Sequence, residues 1–361
     1  MLLHQIALTL IPKIGDKTAR KLLNFFPEAS DIFSAKPREL KAAGFSQIAI
    51  QAIKKSDVMR IAEEELKFIE KNDIKTLFYS DENYPYRLKF CDDAPVLLYY
   101  KGNVNFDHPK ILSIVGTRMA TDYGKLMCRR LIEDISAAVD IVIVSGLAHG
   151  IDTQAHSIAL DNNIPTIGVV AHGHDIIYPR LNTKLASNML HNGAIITEFR
   201  SKTNPDRENF PKRNRIIAGL SDAVLVIEAA RKGGALITAE IANSYGREVF
   251  ALPGRIGDIY SEGCNNLINS NKAILTQSAE DVLNAMNWKP KKNKNKQLKL
   301  FVDLSDEEAK IVNFLNNNEL ADIDTIININ ELNPTKAASL LLSLELKNII
   351  ECKPGKRYSI L

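Results

Sequence analysis

Along the first seventy residues, apolar side chains recur at steps of three and four positions, which is the spacing of amphipathic helices. The pattern predicts helices in the stretches 2–11, 16–26 and 46–72. Around residues 75–85 it gives way to the polar, proline-containing sequence DENYPYRL. We therefore expect a helical N-terminal domain over residues 1–80.

A glycine-containing turn, IPKIGDKTA at residues 11–19, separates the first two predicted helices. It resembles a helix-hairpin-helix turn, in which amides at the start of the second helix bind a DNA phosphate. Lys13, Lys17 and Arg20 would lie beside that phosphate. A glycine turn inside a small helical bundle explains the same residues equally well. The domain is therefore expected to be of the helix-hairpin-helix or SAM-like type, with its contact to DNA left open.

From residue 96 onward, short apolar runs alternate with helical patterns. Continuous apolar runs are typical of strands that are buried on both faces of a parallel sheet. The runs predict seven strands, at residues 96–100, 111–115, 141–145, 166–170, 194–198, 223–228 and 248–252. Helical patterns lie between them, for example at Tyr123–Ala138, Asp152–Asp161 and Ala235–Tyr245. The alternation predicts the α/β class, with a Rossmann-like, doubly wound and mostly parallel sheet over residues 81–287.

Ligands of such sheets bind beyond the carboxyl ends of the strands, so the loops that follow strands contain the candidate site. Three of these loops place glycine before a predicted helix, where backbone and free amides can approach an anion. They contain Gly116, Thr117 and Arg118; Ser145 and Gly146; and Lys232, Gly233 and Gly234. Any one of them can be a simple connection, but together with Arg118 they favour a site for a phosphate-bearing ligand. The G-x-G-x-x-G and G-x-x-x-x-G-K-[ST] motifs are absent, which disfavours ordinary NAD binding and ATP hydrolysis.

A basic cluster lies between residues 200 and 215, where six of sixteen side chains are Lys or Arg. On a helix beginning near Pro211, Lys212 and Arg215 would share one face, with Arg213 to the side. Phe210 offers a flat ring on which an unpaired base can stack. A solvated helix start with Phe210 in the core explains the cluster as well as a nucleic-acid site does.

Signals for catalysis or metal binding are weak. Ser145, His149 and Asp152 lack the sequence context of a nucleophile elbow, and Asp152 at a helix start is typical of a cap. The histidines have no zinc-ligand spacing, so no metal or cofactor is expected. Four well-separated cysteines suit a reducing cytoplasm. No apolar run approaches the roughly 18 residues of a membrane span.

The C-terminal part begins with a lysine-rich stretch at 288–300, which we interpret as an extended linker. Residues 301–361 then show a Ser305–Glu308 capping box, three helical patterns and two short strands around Pro354-Gly355, a winged-helix pattern. This part contains 10 acidic and 6 basic residues. The balance favours contacts with protein, or dimerisation, over tight DNA binding.

The net charge of +3, from 46 Lys+Arg against 43 Asp+Glu, argues against a broad basic groove. This net charge is the sum of segments with different charges. Residues 289–300 contain 6 lysines and no acid, whereas residues 301–361 are acidic. A compact site with local charge remains compatible with it.

Taken together, the motifs resemble the DNA-processing protein A family (DprA, also called Smf) over essentially the whole chain. The resemblance rests on several runs in family order: IVGTR (114–118), SGLAHGIDTQAH (145–156), YPRLNTKL (178–185), FPKRNRIIAGLS (210–221) and EAARKGGALITAE (228–240).

The resemblance implies a cytoplasmic, non-enzymatic homodimer that binds single-stranded DNA without strong sequence preference. It further implies protection of incoming strands and their delivery to the recombinase RecA during natural transformation. The family's DNA-binding positions correspond here to Gly116, Thr117, Arg118, Ser145, Gly146, Lys184, Phe210, Arg213, Asn214, Arg215, Lys232, Gly233 and Gly234.

Two other functions remain open at this point. The run KGGALITAE (232–240) partially resembles the PGGxGTxxE loop of nucleotide phosphoribohydrolases, which would make Glu240 a catalytic residue. Alternatively, the chain is a pure adaptor that acts through the winged helix and RecA alone. Loss of single-stranded DNA binding on replacing Arg118 or Arg213 would favour the DNA-binding function over the hydrolase and the adaptor.

Overall fold

The computed structural model describes residues 1–55, 57–290, 304–318, 321–330, 332–347, 349–353 and 357–360. The chain forms two compact units, Met1–Lys291 and Lys292–Leu361. Within the described segments, none of the helices combines the length and apolar character that a membrane span requires. The same segments contain no group of three His, Cys, Asp or Glu side chains placed to hold a metal ion.

The first unit begins with six helices, where the pattern predicted three longer stretches. They are α1 (Leu2–Thr9), α2 (Asp16–Leu23), α3 (Ala29–Ser34), α4 (Pro37–Ala42), α5 (Gln47–Lys55) and α6 (Val58–Lys71). Their apolar faces form one core, which continues onto Phe78, Val96, Leu97 and Tyr99 of the adjoining α/β region. The helices therefore depend on that region to complete their burial.

A nine-stranded sheet follows, and it confirms the mostly parallel α/β class. Its strands are β1 (Lys75–Phe78), β2 (Leu97–Asn103), β3 (Ile111–Val115), β4 (Val142–Ser145), β5 (Thr166–Val169), β6 (Gly193–Thr197), β7 (Ala223–Val226), β8 (Glu248–Ala251) and β9 (Ile274–Leu275). The order is β1-β2-β6-β5-β4-β3-β7-β8-β9, with β2 antiparallel to both of its neighbours and the other pairs parallel. All seven predicted strands are present, while β1 and β9 were not predicted. The strand order reverses between β3 and β7, which is the topological switch point where doubly wound sheets bind ligands.

Helices cover both faces of this sheet. They are α7 (Tyr86–Lys89), α8 (Asp122–Ala138), α9 (Ile151–Asp161), α10 (Thr183–Met189), α11 (Asn209–Leu220), α12 (Gly234–Ser244), α13 (Glu262–Asn269) and α14 (Ala279–Ala285), with a 3-10 turn at Arg180–Asn182. Because side chains alternate along a strand, Leu112 and Ile114 face the core under α8 and α9, while Ile111 and Val115 face the core under α11 and α12.

Charged contacts join the N-terminal helices to the sheet. The Oδ1 atom of Asp16, in the first turn of α2, accepts a hydrogen bond from the amide of Val96 at 2.9 Å. Its Oδ2 atom lies 3.0 Å from Nη2 of Arg215, and Nη1 of Arg20 donates to the carbonyl of Cys91 at 3.1 Å. Arg20 thus binds the backbone at Cys91, whereas the sequence pattern placed it beside a phosphate at the start of α2. A DNA contact at the 11–19 turn stays a prediction.

The second unit has three helices, α15 (Asp306–Asn317), α16 (Ile323–Ile329) and α17 (Pro334–Leu346), and three short antiparallel strands, β10 (Ala321–Asp322), β11 (Ile350–Lys353) and β12 (Arg357–Ile360). The capping box is present, since the amide of Glu308 donates to Oγ of Ser305 at 3.3 Å and the amide of Ser305 donates to Oε2 of Glu308 at 2.9 Å. Most of the lysine-rich stretch and the Pro354-Gly355 turn lie outside the described residues. The winged-helix assignment therefore stays a prediction.

Candidate functional site

A cavity of about 240 Å³ lies at the carboxyl edge of the sheet, at the switch point between β3 and β7. Loops after β3, β4 and β7 and the first turns of α11 supply its walls. Nine of the thirteen predicted site residues line it: Gly116, Thr117, Arg118, Phe210, Arg213, Asn214, Lys232, Gly233 and Gly234. Segments that are more than a hundred residues apart in sequence thus meet at one place.

The loop after β3 is fixed tightly between its neighbours. The amide of Thr117 donates to the carbonyl of Glu228 at 2.7 Å, and the amide of Ile151 donates to the carbonyl of Thr117 at 3.2 Å. A Cβ atom at Gly116 would lie 2.8 Å from Cβ of Ile151, so only glycine fits there without movement. The requirement for glycine at position 116 is therefore one of packing, and it places Arg118 at the mouth of the cavity.

Arg213 forms the floor of the cavity and is only 4% exposed. Its Nη1 atom donates to the carbonyl of Gly146 at 2.6 Å and also to that of Val169. Its Nε atom has no hydrogen-bond partner among the described residues. Burial lowers the pKa of Arg213 to about 10, so the guanidinium stays charged at neutral pH. A charged guanidinium in the lining of a cavity is suited to an anionic ligand, because hydrogen bonds between charged groups are the strong ones.

Asp152 lies in the same wall, and its prediction as a helix cap is wrong, because Gly150 is the N-cap of α9 and Asp152 lies in the first turn. Its Oδ2 atom accepts a hydrogen bond from the amide of Ala148 at 3.3 Å, within the turn that begins α9. Burial raises the pKa of this carboxyl, and the charge of Arg213 acts in the opposite direction. The acid thus partly balances the buried guanidinium beside it.

The ring of Phe210 lies among cationic and aromatic groups. The guanidinium carbon of Arg118 is 5.0 Å from the ring centroid and that of Arg213 is 5.9 Å from it. Tyr178 approaches from another side, with centroids 6.0 Å apart and planes tilted by 60°. Phe210 therefore helps to hold the two arginines at the cavity, in addition to any contact with a base.

The remaining four predicted residues lie outside the cavity wall. Ser145 is buried, and its hydroxyl donates to the carbonyl of Ile114 at 2.6 Å. Gly146 accepts from Arg213, and a Cβ atom there would lie 2.7 Å from the guanidinium carbon of Arg213. Lys184 is exposed on α10 and is not among the residues that line the cavity.

Arg215 is the fourth predicted residue outside the cavity wall. The prediction that Lys212 and Arg215 share the helix face at the site is therefore corrected. Its side chain is 12% exposed and is bound to Asp16, Glu198 and the carbonyl of Asp93. The face of α11 that meets the cavity contains Arg213. The face shared by Lys212 and Arg215 does not meet the cavity. Helical spacing alone could not show this, because the orientation of α11 depends on its packing against the sheet.

Of the residues considered for catalysis, Asp152 lines the cavity, whereas Ser145 and Glu240 do not. Oε1 of Glu240 lies on the exposed side of α12, 3.3 Å from Nζ of Lys272, with 62% of its side chain exposed. His156 is buried, and its Nδ1 atom lies 2.7 Å from Oγ1 of Thr166. The partial resemblance to phosphoribohydrolases therefore gains no support from the position of Glu240.

The fold and the site together define a doubly wound α/β protein with a cavity lined by cationic side chains and glycines at its switch point. Residues 75–287 match the family model of the DNA recombination-mediator protein A. The DNA processing protein DprA of Streptococcus pneumoniae is 43% identical over 204 residues, which cover 56% of this chain and 71% of that protein. The protein Smf of Escherichia coli is 37% identical over 280 residues, 76% of this chain and 74% of that protein.

Solved structures agree with these matches. The X-ray structure of DprA from Streptococcus pneumoniae superimposes with a TM-score of 0.68 at 33% identity, covering 79% of this chain and 98% of that one. A structure of DprA from Helicobacter pylori, described for its single-stranded DNA binding mode, has a TM-score of 0.53 at 31% identity and covers 59% of this chain and 95% of that one. The chain belongs to the DNA recombination-mediator protein A family, and the resemblance noted from its motifs is confirmed.

Proposed function

We propose that the protein binds single-stranded DNA through the cavity at the switch point, with a backbone phosphate against Arg213. The observation that carries the proposal is a single cavity whose lining combines the cationic side chains of Arg118, Arg213 and Lys232 with the backbone of Gly116, Gly233 and Gly234. The Helicobacter relative, whose structure is described for its single-stranded DNA binding mode, supports the choice of anion.

The composition of the site favours binding without strong sequence preference. Arg118, Lys232 and the amides around Gly233 are donors that suit phosphate oxygens, which are the same at every nucleotide. Aromatic rings accept any base, because every base has a flat face. We therefore expect one nucleotide in the cavity itself, and a binding role without catalysis.

The wider assembly is also part of the proposal. β9 ends the sheet, and its Ile274 and Leu275 are 39% and 43% exposed, which suits pairing with a second copy. We propose a cytoplasmic homodimer that shields incoming strands and delivers them to RecA. The family description, a DNA recombination mediator, supports a role in recombination. The N-terminal helices (1–80) and a winged helix (301–361) on the 288–300 linker would be accessory parts of this assembly.

Two neighbouring cations give a matched test. Lys232 lines the cavity, whereas Arg231, the adjacent residue, is exposed and is not part of the wall. Loss of a charged hydrogen bond costs about 1.5–3 kcal/mol. We therefore expect Lys232→Ala and Arg118→Ala each to weaken binding of a fluorescent oligo-dT by roughly 10- to 150-fold, and Arg231→Ala to change it less than about twofold.

Fluorescence anisotropy at several salt concentrations measures these affinities. One nucleotide of a strand has a phosphate on either side, so log K should fall with log[salt] at a slope of about −1.4, at roughly −0.7 per phosphate for single strands. Equal effects of Arg231→Ala and Lys232→Ala would mean that only general charge matters, and the cavity would then not be the site.

A further inference from the structure

The cavity opens into a wider groove of about 820 Å³ that continues along α11 and α12. Both are lined by Arg118, Phe210 and Lys232, so a ligand in one reaches the other without leaving the protein surface. The groove adds Tyr178 and Arg207, which are not part of the cavity wall. Its volume is more than three times that of the cavity, so it has room for at least one further unit of a polymeric ligand.

Tyr178 presents its ring to this groove from a fixed backbone. Its amide donates to Nε2 of His172 at 3.2 Å, and Nδ1 of His172 lies 2.9 Å from the carbonyl of Gly173. Burial lowers the pKa of His172, so the neutral ring has its proton on Nδ1 and an acceptor at Nε2. The backbone of Tyr178 is thus held while 42% of the residue remains exposed.

The geometry of the two rings decides how they can act on bases. Phe210 and Tyr178 are tilted by 60° at 6.0 Å, so they leave no parallel slot into which a single base could be inserted. One face of Phe210 already lies under the guanidinium of Arg118. Tyr178 is therefore the ring with an accessible face in the groove.

The rest of the groove has the character of a nucleotide site. Leu236 and the half-exposed Ile237 of α12 supply an apolar wall, and the exposed Arg207 supplies a cation on the other side. No carboxylate among the described residues pairs with Arg207. Glu240 lies in the lining too, but it is paired with Lys272.

We propose that the groove is a second nucleotide subsite, in which Tyr178 stacks on the base adjacent to the nucleotide held in the cavity. The proposal rests on the proposed function, because it assumes that the strand's phosphate lies against Arg213. His172 is a positioning residue in this arrangement. The strand then passes from the cavity into the groove, with its next phosphate near Arg207.

Oligomers with and without bases separate this subsite from the phosphate site. Stacking contributes about 1–3 kcal/mol per base, which is roughly a 5- to 140-fold change in affinity. We expect Tyr178→Leu to weaken binding of labelled oligo-dT by that factor, and binding of an abasic oligomer of the same length by less than about twofold. Tyr178→Phe keeps the ring and should bind oligo-dT like the wild type. Tyr86→Leu is the matched control, since Tyr86 is 44% exposed and lines neither the cavity nor the groove.

The outcomes are distinguishable. Arg118→Ala should weaken both oligomers, because it acts on phosphate. If Arg118→Ala weakens oligo-dT and Tyr178→Leu does not, the second subsite is refuted while the proposed function stands. An equal loss on both oligomers in Tyr178→Leu would also refute the subsite, since it would show a general disturbance of the site. If the wild type binds neither oligomer, the proposed function itself fails.

Discussion

Replacing Arg215 with methionine distinguishes a DNA contact from a structural one. Family correspondence assigns Arg215 to the DNA-binding set, whereas the structure places its guanidinium between Asp16, Glu198 and the carbonyl of Asp93. Methionine is unbranched and apolar, so it retains much of the packing volume and removes the charge. We expect the variant to lose stability and, where it remains folded, to bind single-stranded DNA like the wild type.

The size of the loss follows from the burial of the three groups. Removing one partner of a buried ion pair costs about 3–5 kcal/mol, because it leaves a charge unpaired. The side chain of Asp16 is 30% exposed, so solvent weakens its interaction with Arg215. Glu198 can take up a proton and so avoid an unpaired charge. Burial already raises the pKa of Glu198 to about 7, against the opposing charge of Arg215. We therefore expect a loss of about 2–4 kcal/mol in the free energy of unfolding at pH 7.

The protein contains a suitable probe for this measurement. Trp288 is its one tryptophan, and it is buried in the core under α8 and α9, so its fluorescence reports unfolding of the α/β region in urea. Combining Arg215→Met with Glu198→Gln removes the unpaired acid and should recover part of the loss. An unchanged urea midpoint together with a tenfold weaker oligo-dT complex would refute the reasoning and return Arg215 to the DNA site.

Four further variants test other parts of the structure. Glu240→Gln should leave oligo-dT affinity within about twofold, and release of free base from AMP by the wild type, lost in this variant, would instead establish a hydrolase. Gly146→Ala should cost about 1–3 kcal/mol in urea unfolding by crowding the guanidinium beside it. Gly233→Ala, with open space around it, should leave stability unchanged but weaken oligo-dT binding if the strand approaches that backbone. Contacts with Lys347 and Ser343 lower the pKa of Glu308 to about 2, so its contribution is present above about pH 4.5 and lost as the pH falls toward 2. Hydrogen exchange of α15 should accordingly be faster in Glu308→Gln at pH 7, with the difference disappearing in acid.

The fold could be predicted where burial leaves a clear pattern. The seven predicted strands include every strand of the sheet interior, where apolar side chains face both layers of helices. β1 and β9 were not predicted, because they are the two edge strands of the sheet. β1 is only half buried, and β9 has two residues, both exposed. Likewise α3 and α4 have six residues each, which is too short for a helical period to be recognised.

The loops that form the candidate site could be predicted from the sequence, but the directions in which its helices and side chains point could not. Glycine after a buried strand and before a helix is a local signal, and it located Gly116, Gly233 and their neighbours correctly at one cavity. Which arginine of α11 faces that cavity depends on how the helix lies on the sheet, a tertiary property. Tyr178 begins the run YPRLNTKL, but its position beside Phe210 of α11 could not be predicted, because that contact joins segments about thirty residues apart in the sequence.

The small net charge is consistent with a site built in this way. Asp152 partly balances Arg213 beneath the cavity, so the pair adds less to the protein's long-range field than an isolated guanidinium would. At the surface, Arg118, Arg207 and Lys232 are exposed and unpaired with any carboxylate among the described residues, so positive potential is concentrated at the mouth of the cavity and along the groove. Arg213 itself is almost fully buried in the lining of that cavity, and a charge interacts more strongly there than on an open surface. The affinity of such a site depends on a few placed groups, and a near-neutral chain is sufficient to supply them.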